Sequence, residues 1–250
     1  MLITFTDFGL SGPYLGQVAA VCAAEAPQVP IINLIADAPA FDPFASSYLL
    51  APFVAKFPRG AVFLGVVDPG VGSERQPLML EINQQHFVGP DNGLFEMVLR
   101  QGLAETAGKP PAIWRVDWRP DKPLSHSFHG RDLFAPVAAR LAIGMRVDAT
   151  PLTADDIERH DGPDDLARVI YIDHYGNAMT GLRGASLSEQ DRLDMAGQQV
   201  SHGTVFAAVP VGQPFWYVNS AGMVEVAVNR GRADDALGLG VGHDLRVVKG

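Results

Sequence analysis

The amino-acid sequence predicts an α/β fold: an N-terminal α/β domain with a mostly parallel sheet, then a smaller all-β domain, a barrel or a sandwich. Three observations predict it. Strand-like and helix-like segments alternate through roughly the first 145 residues. Within them, AVFLGVVD (61–68) is the continuous apolar run of a strand covered on both faces. After Gly144 the helical periodicity fades, and short apolar runs are separated by Gly, Asn and Pro.

The elements follow in order. Met1 to Thr6 reads as a strand, Tyr14 to Ala26 as an alanine-rich helix, and Pro30 to Ile35 as a second strand. Asp42-Pro43 supplies an N-cap and a first-turn proline for the helix PFASSYLLAPFVAKF, which Pro52 is expected to kink or divide. LMLEI, HFVG and AIWRV read as strands, and Arg131 to Ile143 as a helix with Phe134, Ala138 and Leu141 on one face. The polar, acidic stretch that follows reads as a linker, with the boundary near residue 160. RVIYID, VFAAVPV, FWYVN, MVEVAV and DLRVV read as the strands of the second domain.

The 250 residues suffice for a sizeable core, and 47% hydrophobic against 19% charged residues argues against disorder. A net charge of −9 with no basic run disfavours nucleic acid as a partner. The one cysteine, Cys22, excludes an intramolecular disulfide and a cysteine zinc cluster, and its setting in QVAAVCAAEA reads as helix core. The seven histidines show no metal-ligand spacing. No apolar stretch has the length of a membrane span, and the N-terminus has no charged leader, so cytoplasmic residence without membrane association is expected.

Four motifs in the first domain are candidates for chemistry or for the turns that position it. TDFG (6–9) puts Asp7 directly after the first strand, where an acid in an open parallel sheet can hold ribose hydroxyls or simply cap a turn. VVDPGVGSER (66–75) ends an apolar strand on Asp68 and presents Arg75 seven residues later. It lacks every phosphate-loop signature, and its acid would repel phosphate. PDNG (90–93) is a turn signal before a helix. FHGRD (128–132) places His129 beside a glycine at the head of an apolar helix. A carboxylate, a cation and an imidazole on strand-end loops of one sheet can together hold and polarise a water. In the second domain, IDHYGN (172–177) and VNSAGMVE (218–225) read first as hairpin turns. Their polar side chains suit an amino acid or a purine if they face a crevice.

In this order, TDFG-x4-Y-x-G, VVDPGVG-x2-R, PDNG, FHGRD-x-FAP, ID-x2-GN and NS-x-G-x2-E span nearly the whole chain, and together they resemble the adenosine-forming S-adenosyl-L-methionine (SAM) hydrolases. These are also called SAM hydroxide adenosyltransferases and are related to the fluorinase and chlorinase. The resemblance implies an α/β SAM-binding and catalytic domain over 1–150, a linker over 151–166 and a β-barrel-like domain over 167–250. It implies hydrolysis of SAM to adenosine and methionine with no cofactor and no metal. It also implies a homotrimer with sites at subunit interfaces. By the same resemblance the catalytic set falls on Asp68, Arg75 and His129, and the ribose-binding acid on Asp7. Phe41 and Phe128 fall on the nucleoside pocket, Asp173 and Ser220 on the methionine end, and Asn177 on an adenine contact.

Some positions depart from the family pattern. Asn33-Leu34-Ile35-Ala36 stands where D-I-T-H is usual, Ala19 for a lysine, Gly12 for an acid, and Ala221 where halogenating relatives have arginine. An ionised Asp68 would repel a halide, which makes 5′-halogenation the weakest reading. A sensor or reservoir that binds SAM or adenosine without turnover is the alternative. Intact Asp68, Arg75 and His129 weigh against it, since binding alone needs no water-activating set.

Overall fold

In the computed structural model, which describes residues 1–104, 109–195 and 197–250, the chain divides into two units, Met1–His160 and Asp161–Gly250. The first unit runs β1 (Leu2–Thr6), α1 (Tyr14–Glu25), β2 (Ile31–Ile35), α2 (Pro43–Val54), β3 (Val62–Val66), β4 (Pro77–Ile82), β5 (Gln85–Pro90), α3 (Glu96–Ala104), β6 (Ala112–Val116), α4 (Ala135–Ala142) and β7 (Ala149–Leu152). Its seven strands form one sheet in the order β2-β1-β3-β5-β4-β6-β7. β2, β1, β3 and β5 pair in parallel, and the remaining pairings are antiparallel.

Alternation along β3 explains the layers. Val62, Leu64 and Val66 join Val18 and Cys22 of α1 and Ala135 and Ala138 of α4 in one core. Phe63 points the other way, stacking on Phe87 at 5.0 Å and meeting Phe57 just beyond α2. All five residues of β3 are buried, as the unbroken apolar run requires, each large side chain contributing about 1.5–3 kcal/mol. Cys22 is buried, its Sγ 3.8 Å from the Ala135 carbonyl, in keeping with a core role.

Asp42 caps α2 by accepting from the Ala45 amide at 2.9 Å. Pro52 does not divide that helix: it falls in the last turn, and α2 ends only two residues later at Val54. The helix expected from Arg131 begins instead as a π-helical turn, Gly130–Phe134, and becomes α-helical at Ala135.

The stretch read as a linker holds more order than its composition suggests. Thr150 to Leu152 pair with β6, and the residues beyond are tied back to the first unit. The Glu158 amide donates to Asp91 at 2.8 Å, Arg159 grips Glu96 through Nε at 2.8 Å, and Ser47 meets His160 at 3.0 Å. Buried Asp91 and Glu96 supply the partners, which a local reading of a polar run has no means to see.

The second unit runs β8 (Leu166–Ile172), β9 (Ala178–Arg183), β10 (Arg192–Met195), β11 (Gln198–Val200), β12 (Pro214–Val218), β13 (Met223–Val228), α5 (Ala233–Leu237) and β14 (Arg246–Val248). The sheets β12-β13-β9-β8 and β11-β10-β14 are antiparallel and share one core around Trp216, Leu193 and Val226. Bridges Arg168–Asp244 and His202–Trp216 join the edges of the two sheets, closing the ring into a barrel-like form that leaves those edges paired. VFAAVPV is not a strand: Phe206–Ala208 is a 3-10 turn. Its apolar residues are partly exposed rather than alternating into a core, which is why a hydrophobic run misread it.

Candidate active site

β1 and β3 are parallel neighbours with Thr6 opposite Val66, so both chains leave the sheet at the same edge. Asp7 follows β1 by one residue and Asp68 follows β3 by two. The two acids therefore meet beyond the carboxyl ends of the strands, where open parallel sheets bind ligands. A cavity of about 560 Å³ opens there, lined by Asp7, Phe8, Tyr14, Gln17, Phe41, Val66, Asp68, Val71, Ser125, Ser127, Phe128, His129, Gly130 and Arg131.

Arg75 binds Asp68 through both arms of its guanidinium: Nε donates to Oδ1 at 2.8 Å, and Nη2 donates to Oδ2. The two side chains are 9% and 4% exposed, so this is a nearly desolvated bidentate pair. Nη2 also lies 3.2 Å from His129 Nδ1. A guanidinium can only donate, so Nδ1 is the acceptor and the proton of the neutral ring sits on Nε2. Burial, and then the neighbouring Arg75 charge, hold the His129 pKa below the ordinary imidazole value, consistent with that neutral form. The guanidinium rests 5.1 Å from the centre of the Phe134 ring. The π-helical turn thus brings both His129 and Phe134 to one arginine.

Backbone detail holds the Asp68 turn in place. Gly72 has φ of +83°, and a Cβ there would fall 2.7 Å from the His126 carbonyl oxygen. Only glycine lets the turn carrying Asp68 and Arg75 pack so closely on the loop before His129. Asn92 of the PDNG turn donates to the Val67 carbonyl at 2.8 Å, anchoring the chain one residue before Asp68.

Asp7 differs in character. One of its oxygens accepts from the Phe41 amide at 3.0 Å, and burial raises its pKa above the usual carboxylate value. Phe41 is 77% exposed and has φ of +60°, a left-handed conformation that is costly for a bulky side chain. Phe128 packs edge-on against Phe8 at 5.6 Å and Tyr14 at 5.4 Å, making an aromatic wall. The departures Asn33 and Ala36 do not line this cavity: Asn33 accepts from the Thr4 hydroxyl at 3.1 Å, and the Ala36 carbonyl accepts from the Gly9 amide at 2.7 Å.

Of the three residues expected from the second domain, two lie together. Asp173 and Asn177 border a cavity of about 680 Å³ with Tyr175, Phe206, Tyr217, Glu225, Val228, Arg230, Gly231 and Arg232. Asn177 closes its hairpin on Asp173, its backbone and side-chain nitrogens each donating to one carboxylate oxygen at 2.9 Å. Gly176, at φ of +82°, would press a Cβ to within 2.5 Å of Asp234, so the hairpin tip also requires glycine. Ser220 is exposed in the turn after Asn219 and is not among the lining residues. Phe206, Tyr217, Arg230 and Arg232 escape a sequence reading because no spacing links them; only the barrel assembles them. No group of three or more His, Cys, Asp and Glu fit to hold a metal ion occurs among the described residues. No described helix is long and apolar enough to cross a membrane.

Comparison with known proteins bears on both units. Residues 2–150 match the SAM hydroxide adenosyltransferase N-terminal domain, and residues 167–246 match its C-terminal domain. A protein of Thermus thermophilus named (R)-S-adenosyl-L-methionine hydrolase is 37% identical over 97% of each chain. One of the same name from Salinispora arenicola is 36% identical over 98% of this chain and 96% of its own. Among solved structures, an uncharacterized conserved protein from Thermotoga maritima superposes with a TM-score of 0.87 at 28% identity over the whole of both chains. A conserved hypothetical protein from Thermus thermophilus gives 0.75 at 34% identity over 99% of each. With both domains matched in order and a relative this similar along its length, the chain belongs to the SAM hydroxide adenosyltransferase family.

Proposed function

We propose that the protein hydrolyses S-adenosyl-L-methionine at C5′: water attacks, the C5′–sulfur bond breaks, and adenosine, L-methionine and a proton are released. The observation that carries this reading is the Asp68–Arg75–His129 network: Asp68 and His129 line a cavity that also holds Asp7, and Arg75, itself not among the lining residues, is bonded to both. Membership of the family and relatives named as SAM hydrolases support it.

The sulfonium leaves as a neutral thioether, so the leaving group needs no acid and the step involves neither redox change nor cofactor. The difficulty lies with the nucleophile, which must be aligned with C5′, stripped of solvent and relieved of its proton. Arg75 uses two of the carboxylate's lone-pair sites and leaves others to accept from a water. Asp68 accordingly orients the water and draws on its proton, while Arg75 stabilises developing hydroxide character. His129, neutral and accepting from Arg75, fixes the guanidinium. Asp7 takes the ribose hydroxyls, Phe41 and Phe128 flank the nucleoside, Asp173 and Ser220 take the methionine end, and Asn177 contacts adenine. A homotrimer with shared sites fits the exposed aromatics bordering each cavity, Phe41 at 77% and Tyr175 at 74%.

The test is incubation of the purified protein with SAM in chloride buffer, followed by chromatography of the nucleosides. Both sulfonium epimers are offered, since the relatives carry (R) in their names. Adenosine and methionine in equal amounts, in excess over enzyme, are expected. A 5′-chloronucleoside would overturn the choice of nucleophile, and bound SAM without product would replace catalysis with a sensor or reservoir. Light scattering of the eluted protein measures the oligomer, a trimer being the expected result.

A further inference from the structure

Glu225 lies on β13 with 5% of its surface exposed, between Val224 and Val226, which are fully buried, and it borders the second unit's cavity. A buried carboxylate is costly unless donors surround it, and an apolar residue there would pack the strand at less expense. Two donors do surround it. The Tyr217 hydroxyl donates to Oε1, and Asn219 Nδ2 donates to Oε2 at 2.8 Å.

The same Asn219 amide faces the backbone with its other end. Its Oδ1 accepts from the Ala221 amide at 2.9 Å and the Met223 amide at 3.1 Å, and the Gly222 amide donates to the Asn219 carbonyl at 2.9 Å. These bonds wrap the turn that carries Ser220. On the other side, the Tyr217 ring stands 5.4 Å from Phe206 and 5.6 Å from Phe215. One carboxylate therefore sets a turn and an aromatic wall at once.

We propose that Glu225 is a positioning residue, holding the Ser220 turn and the Tyr217 ring in register for the methionine end of the substrate. The inference rests on the hydrolase reading, which assigns that end to Ser220. It acts by hydrogen bonding rather than by charge. A glutamine can replace it, giving its carbonyl to Asn219 and its amide to a Tyr217 hydroxyl turned to accept. An alanine cannot.

Calorimetric dissociation constants for SAM and for adenosine, which lacks the methionine end, test this in the protein with Glu225 and Ser220 intact, Glu225→Ala, Glu225→Gln, Ser220→Ala and the Glu225→Ala/Ser220→Ala double variant, all carrying Asp68→Asn so that SAM survives the titration, with thermal melts as folding controls. Glu225→Ala should weaken SAM about tenfold or more and adenosine less than about threefold, the loss of the two bonds that brace the turn and the ring. Glu225→Gln should stay within about threefold of the protein with Glu225 intact for both ligands. Ser220→Ala should cost affinity with Glu225 intact and little more in Glu225→Ala, the non-additivity of residues acting as one unit. Unchanged SAM affinity in Glu225→Ala, equal losses for SAM and adenosine, a glutamine variant as damaged as alanine, or strict additivity would each overturn the inference. If wild type binds SAM without turning it over, the hydrolase reading fails, and the same ratios still decide the role of Glu225.

Discussion

In the first unit two residues of the cavity wall belong to a charge network: a carboxylate gripped at both oxygens by a guanidinium that also donates to an imidazole. In the second unit both oxygens of the acid Asp173 accept instead from the backbone and side chain of Asn177, four residues on in the same hairpin, with Arg232 within electrostatic reach. The first arrangement draws on three separate segments and holds charge in a desolvated place, which suits a reaction whose charges change. The second shapes a turn, which suits holding a ligand still. The difference, on the hydrolase reading, assigns the first unit's network to rate and the second unit's hairpin to affinity, and it sorts the expected effects of mutation accordingly.

Asp68→Asn is the severest way to break that contrast. It keeps the side chain's size but removes the charge facing Arg75, and kcat should fall by about 10³-fold, in line with loss of a group acting on the transition state. SAM affinity should change little. A large loss of affinity with normal turnover would show that the network binds rather than reacts.

Asp7→Asn comes next. The Phe41 amide still finds an acceptor, so the fold should stand, while SAM and adenosine binding should each weaken by about 10–100-fold through lost charge-assisted bonds. Calorimetry with free methionine, expected to be unaffected, separates a nucleoside role from general damage.

Asn177→Ala sharpens the other side of the comparison. It removes the side-chain donor to Asp173, and KM for SAM should rise by about tenfold with kcat within about threefold of wild type, a change in uniform binding. Since the backbone donor survives, the melting temperature should drop by only about 2–4 °C. Equal loss of kcat would erase the division between rate and affinity.

The smallest effect is a flat region in a pH profile. Because burial and Arg75 depress the His129 pKa, the folded ring stays neutral below the unfolded value of about 6.5. Its contribution to stability is present above that value and is lost as pH falls through the folded pKa, where the unfolded state binds the proton more readily. The rate kcat/KM should therefore stay level from about pH 8 to 6.5 and fall only below. A decline beginning above pH 7 would mean that His129 is not held neutral by Arg75.

Much of this was legible in the residues alone. The apolar run before Asp68 declared a doubly covered strand, because a strand buried on both faces has no reason to alternate. Asp42-Pro43 declared a helix start through short-range bonding. Asp68, Arg75 and His129 were identified by ordered motifs, and their local turns are encoded by glycines within a few residues. What failed was whatever depended on distant partners. Residues 153–160 looked like solvated linker because Asp91 and Glu96, their acceptors, lie some sixty residues earlier. Phe206 looked like strand because its run is apolar, although its ring belongs at a cavity.

Sequence by itself therefore determined the fold class, the strand ends that carry the acids, and the identity of the three residues in the network. The first two follow from periodicity, capping and turn chemistry, which act over a few residues, and the third from the resemblance carried by the ordered motifs. The tertiary structure alone decided that Arg75 grips Asp68 with two arms and donates to His129, that Asn92 and Gly72 clamp the turn, and that Glu225 braces the loop of Ser220. Each of these is a contact set by sheet register and by the packing of separate segments, and a hydrogen bond across a fold leaves no local pattern in the chain that makes it.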